Sequence, residues 1–264
     1  MRCVVCLKVV PRPEEVRVNL EQKTLERSGV RSVINPSDLN ALETALALRD
    51  LHGGRVTVLS MGPPNFEPYL RVAIAVGADE AVLLSDRAFG GADTLATSYT
   101  LAEGVRALGG ADLVLCGDES SDGGTSQVPQ GLAEWLGFSQ ATYVDGLEVT
   151  KEGALRARRV LEEGTETLEM PLPAVVSVLG GANEVRFIDY DRWAMAQGAS
   201  VRVIDAAELG ADPASLGLKG SPTVVAGLRE VRKPGRRHEV LTVPPDEAAA
   251  RLAEELRRLG VAHA

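Results

Sequence analysis

Two stretches of this sequence combine glycines with hydroxyl side chains in an order that could hold a phosphate. They are Ser85-Asp86-Arg87-Ala88-Phe89-Gly90-Gly91-Ala92-Asp93-Thr94 and Gly117-Asp118-Glu119-Ser120-Ser121-Asp122-Gly123-Gly124-Thr125-Ser126-Gln127. Each follows a short apolar run and precedes a helical pattern. Such a turn lets backbone N–H groups converge on an anion, and the positive end of the helix dipole adds to the attraction. Taken singly, a loop of this kind is equally a tight turn before a capped helix; two at adjacent strand ends favour a site. The G-x-G-x-x-G fingerprint is missing after the first strand, and G-x-x-x-x-G-K-[ST] is missing throughout, which argues against a dinucleotide-binding Rossmann domain of the usual kind and against a P-loop NTPase. Catalytic chemistry is not indicated. His52, His238 and His263 fall at a helix end, in a basic loop and at the terminus, with no metal-ligand spacing. Ser120 and Ser121 have no neighbouring histidine to activate them. These residues describe a binder rather than a reactor.

The elements that must position the two loops follow from periodicity. Runs at Cys3–Val9, Arg55–Ser60, Ala81–Leu84, Leu113–Cys116 and Ala174–Val178 read as strands. Between them Leu39, Leu42 and Leu46, then Leu70, Ala73 and Ile74, then Leu95, Leu101 and Val105 recur at helical spacing. Asn35-Pro36 opens the first helix with proline at its first position, and Gly77 and Gly109 close the other two. Strands alternating with helices predict an α/β fold with a Rossmann-like, open, mostly parallel sheet of the adenine-nucleotide-binding type. In such a sheet ligands sit beyond the carboxyl ends of the strands, where both loops lie. Two excursions interrupt the rhythm. Val16–Val33 predicts a hairpin-like flap around Asn19–Lys23, and Tyr143–Met170 alternates apolar and charged residues around Gly153 and Gly164, as antiparallel edge strands do.

After Ser200 the residues Gly210, Pro213, Gly217, Gly220 and Pro222 crowd a segment of little periodicity. It reads as an extended C-terminal arm lying over another surface. A terminal helix follows, with Pro245 near its start, Leu252, Leu256 and Leu259 on one stripe and Gly260 after it. The division expected is therefore a nucleotide-binding domain over 1–200 and an arm with its helix over 201–264, packing on a partner subunit.

The 264 residues are 45% hydrophobic and 25% charged, the composition of an ordinary globular chain. A net charge of −9 argues against nucleic-acid binding by bulk electrostatics. No run approaches the roughly 20 apolar residues that span a bilayer, and Lys8 interrupts the N-terminal run before a signal-peptide core could form. A cytoplasmic location without membrane insertion is expected. Cys3 and Cys6 have CxxC spacing, but on a strand they face opposite sides. With Cys116 they read as buried small hydrophobes.

Taken in order, Val4-Val5-Cys6-Leu7-Lys8, Asn35-Pro36-Ser37-Asp38, Met61-Gly62-Pro63, Gly77-Ala78-Asp79, the Asp122-to-Gln130 loop, Leu172-Pro173-Ala174-Val175 and Asn183-Glu184 resemble the β subunit of electron-transfer flavoproteins over nearly the whole chain. The resemblance implies an electron carrier rather than an enzyme. It implies a heterodimer with an α subunit that holds a redox-active FAD, and an AMP or a second FAD in this subunit. Asp86 to Ser98, Asn35 to Asp38 and Leu216 to Thr223 resemble the electron-bifurcating subgroup, in which the nucleotide is FAD. The adenylate is then expected against Cys6, Asn35, Asp38 and Met61, its phosphates at Asp122, Gly123, Gly124, Thr125, Ser126 and Gln127, and a flavin extension at Asp93, Thr94 and Thr97. Asp122 assists as a helix cap or ribose partner, whereas beside a phosphate its charge repels. The stretch from Asn183 to Trp193 resembles the family's recognition loop for flavin dehydrogenases such as acyl-CoA dehydrogenases, with Tyr190 at the anchor and Phe187 and Trp193 beside it. By periodicity alone those aromatics could equally pack inward. The proline and lysine run common in that loop are absent here. Electrons would pass on to a quinone-linked oxidoreductase. Two other classes fit less well: a flavin-free AMP- or ATP-binding regulatory protein, against which the arm speaks, and an adenylating enzyme, whose pyrophosphate loop Leu7-Lys8-Val9-Val10-Pro11 does not resemble.

Overall fold

The computed structural model describes residues 1–12, 17–19, 24–26, 31–226 and 240–261. They form two compact units, Met1–Leu228 and Arg229–Ala264. In the first, the chain runs through β1 (Arg2–Cys6), β2 (Val9–Pro11), β3 (Arg17–Asn19), β4 (Thr24–Glu26), β5 (Ser32–Ile34), α1 (Pro36–His52), β6 (Arg55–Met61), α2 (Glu67–Val76), β7 (Glu80–Leu84), α3 (Thr94–Ala107) and β8 (Leu113–Gly117). It continues through α4 (Val128–Leu136), β9 (Ser139–Val149), β10 (Leu155–Leu161), β11 (Gly164–Met170), β12 (Ala174–Val178), α5 (Tyr190–Gln197), β13 (Arg202–Ile204) and α6 (Ala206–Leu209).

Nine strands make one sheet, ordered β11-β10-β9-β12-β8-β1-β6-β7-β13. Pairing is parallel from β13 through β9, and β9, β10 and β11 pair antiparallel at one edge. Both faces of the parallel part are covered, which is why its strands are continuous apolar runs. On β1, Cys3 and Val5 pack with Leu42 and Leu46 of α1 and Leu70 of α2, while Val4 and Cys6 pack with Leu101 and Val105 of α3 and Leu132 of α4. The two cysteines thus face opposite sides of the sheet, and all three thiols are buried. Burial pushes the Cys3 thiol up to about 11, as expected of an inert small hydrophobe.

The antiparallel edge is covered by a ladder of exposed ion pairs, Arg156 with Glu148 and Glu169, Arg158 with Asp145, and Arg159 with Glu166. In the flap, β3 and β4 pair antiparallel, while the turn expected between them lies outside the described residues.

The domain boundary expected at Ser200 is corrected. Arg202–Ile204 adds to the sheet beside β7 in parallel register, and Ile204, Leu209 and Leu216 are buried in the core of α3 and α4. The unit therefore runs to Leu228. A three-residue strand is too short to show periodicity, so composition alone made this segment look separate. Its later part is fixed to the loop before α3: the Leu218 N–H donates to Gly90 O at 3.0 Å, and a Cβ on Gly217 would lie 2.1 Å from Ala88 O, so only glycine fits there.

In the second unit α7 (Pro245–Arg258) forms as the terminal signals predicted, with Pro245, Asp246 and Glu247 in its first turn and Arg257 and Arg258 in its last. His238 and His263 lie outside the described residues.

Candidate nucleotide site

The strand order reverses at β1, which has β6 on one side and β8 on the other. The crevice of a doubly wound sheet opens at that switch point, beyond the carboxyl ends of β1 and β8. Asn35, Ser37 and Asp38 at the start of α1 close its floor. The Asp38 carboxylate ties the two strand ends together, one oxygen accepting from the Lys8 N–H at 2.7 Å and the other from the Gly117 N–H at 3.0 Å. Asn35 fastens the loop after β8, donating to Glu119 O at 2.8 Å and accepting from the Ser121 N–H at 3.2 Å; the Ser37 hydroxyl adds a bond to Glu119 O at 2.9 Å. Asp38 is buried, and desolvation pushes its carboxyl up to about 7 against the Lys8 and Gly117 N–H groups, Asn35 and the Lys8 charge.

The loop itself turns back through Gly123 and Gly124, whose N–H groups both donate to Ser120 O. Gly124 and Ser126 take left-handed φ of 55° and 53°. Gln127 precedes α4, and its side-chain oxygen accepts from the Thr94 hydroxyl at 3.0 Å. The two glycine-rich loops therefore meet. Asp93 caps α3, one oxygen accepting from the Leu95 and Ala96 N–H groups; the other accepts from the Thr223 N–H and hydroxyl. Desolvation opposes its ionisation, but these donors hold the carboxyl below the usual range. Thr97 lies on the first turn of α3, half-buried.

Asp122 does not cap α4. It pairs with Lys8 at 2.6 Å, and although desolvation works against ionisation, Lys8 and Ser120 hold its carboxyl below the usual range. Of the alternatives raised for Asp122, the cap is thereby removed, and its charge is met by an ammonium.

Cys6 is buried and packs with Cys116 in the core on the α3 and α4 side of the sheet. Met61 ends β6 and lines, with Gly62, Pro63 and the Ser85–Gly90 stretch, a cavity of about 650 Å³. The structure thus brings Asn35, Asp38 and Asp122–Gln127 to one crevice, joins Asp93 and Thr94 to it, and sets Met61 at the next strand end. Sequence reasoning missed two residues as site members. Lys8 follows β1, where the sheet rule places ligands, and the sequence marks the Leu7–Pro11 stretch as a strand-end loop without giving Lys8 a role in the site. Asp118 follows β8 and keeps a buried carboxylate oxygen with no hydrogen-bond donor. Among the described residues no metal-holding cluster occurs, and no helix is long and apolar enough to cross a membrane.

Away from the crevice, Phe187 is 88% exposed, Tyr190 81% and Trp193 42%. Ala196 is the buried residue of α5, so the aromatics do not pack inward.

The fold is that of an α/β protein with a doubly wound, mostly parallel sheet. The chain matches the family model described as electron transfer flavoprotein domain over residues 22–209. It is 46% identical to the electron transfer flavoprotein subunit beta of Clostridium acetobutylicum, over 97% of this chain and 98% of that protein. It is 45% identical to protein FixA of Azorhizobium caulinodans (92% and 88%), and 41% identical to the caffeyl-CoA reductase-Etf complex subunit CarD of Acetobacterium woodii (85% and 86%). The chain belongs to the electron transfer flavoprotein family, in its β-subunit branch.

Proposed function

We propose that this chain, as the β subunit of a heterodimeric electron carrier, holds an adenine nucleotide in the β1–β8 crevice and docks a flavin dehydrogenase through the aromatic surface of α5. The convergence of Asn35, Asp38 and the Asp122–Gln127 turn at the switch point carries the first half of this reading. The residues suit an adenylate: the left-handed turn at Gly124 and Ser126 precedes a helix N-terminus, and the unpaired Asp118 oxygen suits a ribose hydroxyl or an amine. FAD, shared with the α subunit, supplies the redox chemistry, while this chain binds and orients. Between AMP and a second FAD, the bond from Thr94 to Gln127 favours FAD, because it joins a second helix start to the first. The flavin-free regulatory reading has no comparable support. Nucleotides released by acid from the co-purified heterodimer are expected to be two FAD per pair; one FAD with one AMP would correct the second assignment, and none would refute the site.

The CarD relative is named for a complex with a CoA-ester reductase. A flavin dehydrogenase such as an acyl-CoA dehydrogenase, which also handles a CoA ester, is the expected donor, with a quinone-linked oxidoreductase as acceptor, in the cytoplasm. Exposed aromatics at interface centres commonly carry about 2 kcal/mol or more. Tyr190→Ala is therefore expected to raise the KM for the donor dehydrogenase roughly 10- to 50-fold without moving the unfolding midpoint. An unchanged KM would remove α5 from the interface.

A further inference from the structure

We propose that Lys8 is the cation of this phosphate site, held in reserve by Asp122, and that it makes the crevice select adenylates carrying a phosphate over adenosine. The inference rests on the adenylate reading and assigns the site its charge preference.

The loop after β8 is acidic. Asp118, Glu119 and Asp122 stand within one turn of the glycines that would face the phosphate. An incoming phosphate would meet net repulsion there unless a cation faced it, since partly buried charges are poorly screened. Lys8 faces it. Its ammonium lies 2.6 Å from Asp122 Oδ1 and 3.2 Å from Ser120 Oγ, and 4.0 Å from the point where a side chain on Gly123 would begin. It therefore stands over the glycine turn.

Backbone and head group are held differently. The Lys8 N–H is fixed on Asp38, and the Lys8 carbonyl accepts from the Asn35 N–H at 2.9 Å, so the root of the side chain is set by the floor of the crevice. The lysine side chain is 47% exposed and that of Asp122 only 15%. The carboxylate is the sheltered partner, and the ammonium can swing on its flexible stem. An ammonium has three donors, of which these two neighbours take two. A ligand phosphate can take the third or displace Asp122 from the first. The ion pair thus makes Asp122 a competitor of the phosphate.

The test uses the full heterodimer stripped of nucleotide, with adenosine and AMP titrated by calorimetry into wild type, Lys8→Met, Lys8→Arg and Asp122→Asn. Lys8→Met is expected to weaken AMP roughly 10- to 100-fold and adenosine less than about 3-fold, the scale of one lost charge-assisted bond. Lys8→Arg should hold AMP within a few-fold, and Asp122→Asn should bind AMP more tightly than wild type. Equal losses for adenosine and AMP, or weaker AMP binding in Asp122→Asn, would mean that the pair only braces the loop and would overturn the proposal. Should Lys8→Met fail to fold, wild type still decides, because AMP affinity must fall more steeply with added salt than adenosine affinity. A wild-type heterodimer binding neither ligand refutes the adenylate site itself, whereas one binding both equally refutes only the role of Lys8.

Discussion

A Gly117→Ala chain is expected to purify without nucleotide and to lose about 3 kcal/mol of stability, from overpacking plus a weakened bond to a buried carboxylate. Gly117 ends β8 at the switch point. A Cβ there would lie 2.3 Å from Ser37 Oγ, 2.4 Å from Asp38 Oδ1 and 2.9 Å from the Asp38 backbone nitrogen. The last contact is with main chain in the first turn of α1 and cannot rotate away, so the helix start must move. Moving it breaks the tie from Asp38 to Lys8 and releases Asn35 from the loop after β8, which removes the floor of the crevice and unseats the turn together. Gly137 serves as the control: its φ is 68° but nothing lies within 4 Å of an added Cβ, so alanine there costs about 1 kcal/mol of backbone strain and leaves binding intact. Nucleotide per heterodimer and urea midpoints check both. Retention of nucleotide by Gly117→Ala would show that the crevice is not built on that close approach.

The parallel sheet was legible because β1, β6, β7, β8 and β12 are buried on both faces and so read as unbroken apolar runs between helical patterns. The antiparallel edge was legible for the opposite reason: β10 buries Leu155 and Ala157 while Arg156 and Arg158 face water. β13 was not, since three residues carry no period, and with it went the domain boundary. At the site, glycines and hydroxyls announced the two loops, but not what holds them. Asp38 and Gly117 are 79 positions apart, and no local pattern says that a carboxylate will bridge two strand ends. Resemblance places the adenylate against Asp38, and the structure adds that its carboxyl bridges the ends of β1 and β8. Lys8 carries no local signal for a phosphate, since its partners Ser120 and Asp122 lie more than a hundred positions away and only the fold brings that acidic loop within its reach. The aromatics near α5 had two orientations open to them by spacing, and the choice was made by Ala196, whose small side chain meets the domain while Tyr190 and Trp193 stay outside.

The brace carries a charge question that stability measurements can answer. Burial lifts the Asp38 carboxyl from 3.8 to about 7. As pH rises from about 4, the unfolded chain loses this proton first, so the folded state binds more protons than the unfolded one and stability falls until the folded carboxyl also ionises near neutrality. Between pH 5 and pH 8 Asp38 alone is expected to subtract roughly 2–3 kcal/mol. Asp38→Asn cannot titrate. It presents one oxygen and one amide to two N–H donors, so it loses a hydrogen bond at every pH, a constant cost of about 1–2 kcal/mol. The advantage of wild type over Asp38→Asn should therefore be largest at pH 5 and shrink by roughly 2–3 kcal/mol by pH 8, read from paired urea titrations. Parallel profiles for the two proteins would mean that the Lys8 and Gly117 N–H groups outweigh desolvation and keep Asp38 ionised throughout. The crevice would then hold a fixed negative charge beneath the phosphate site across the whole range, a further reason for a lysine to stand above it.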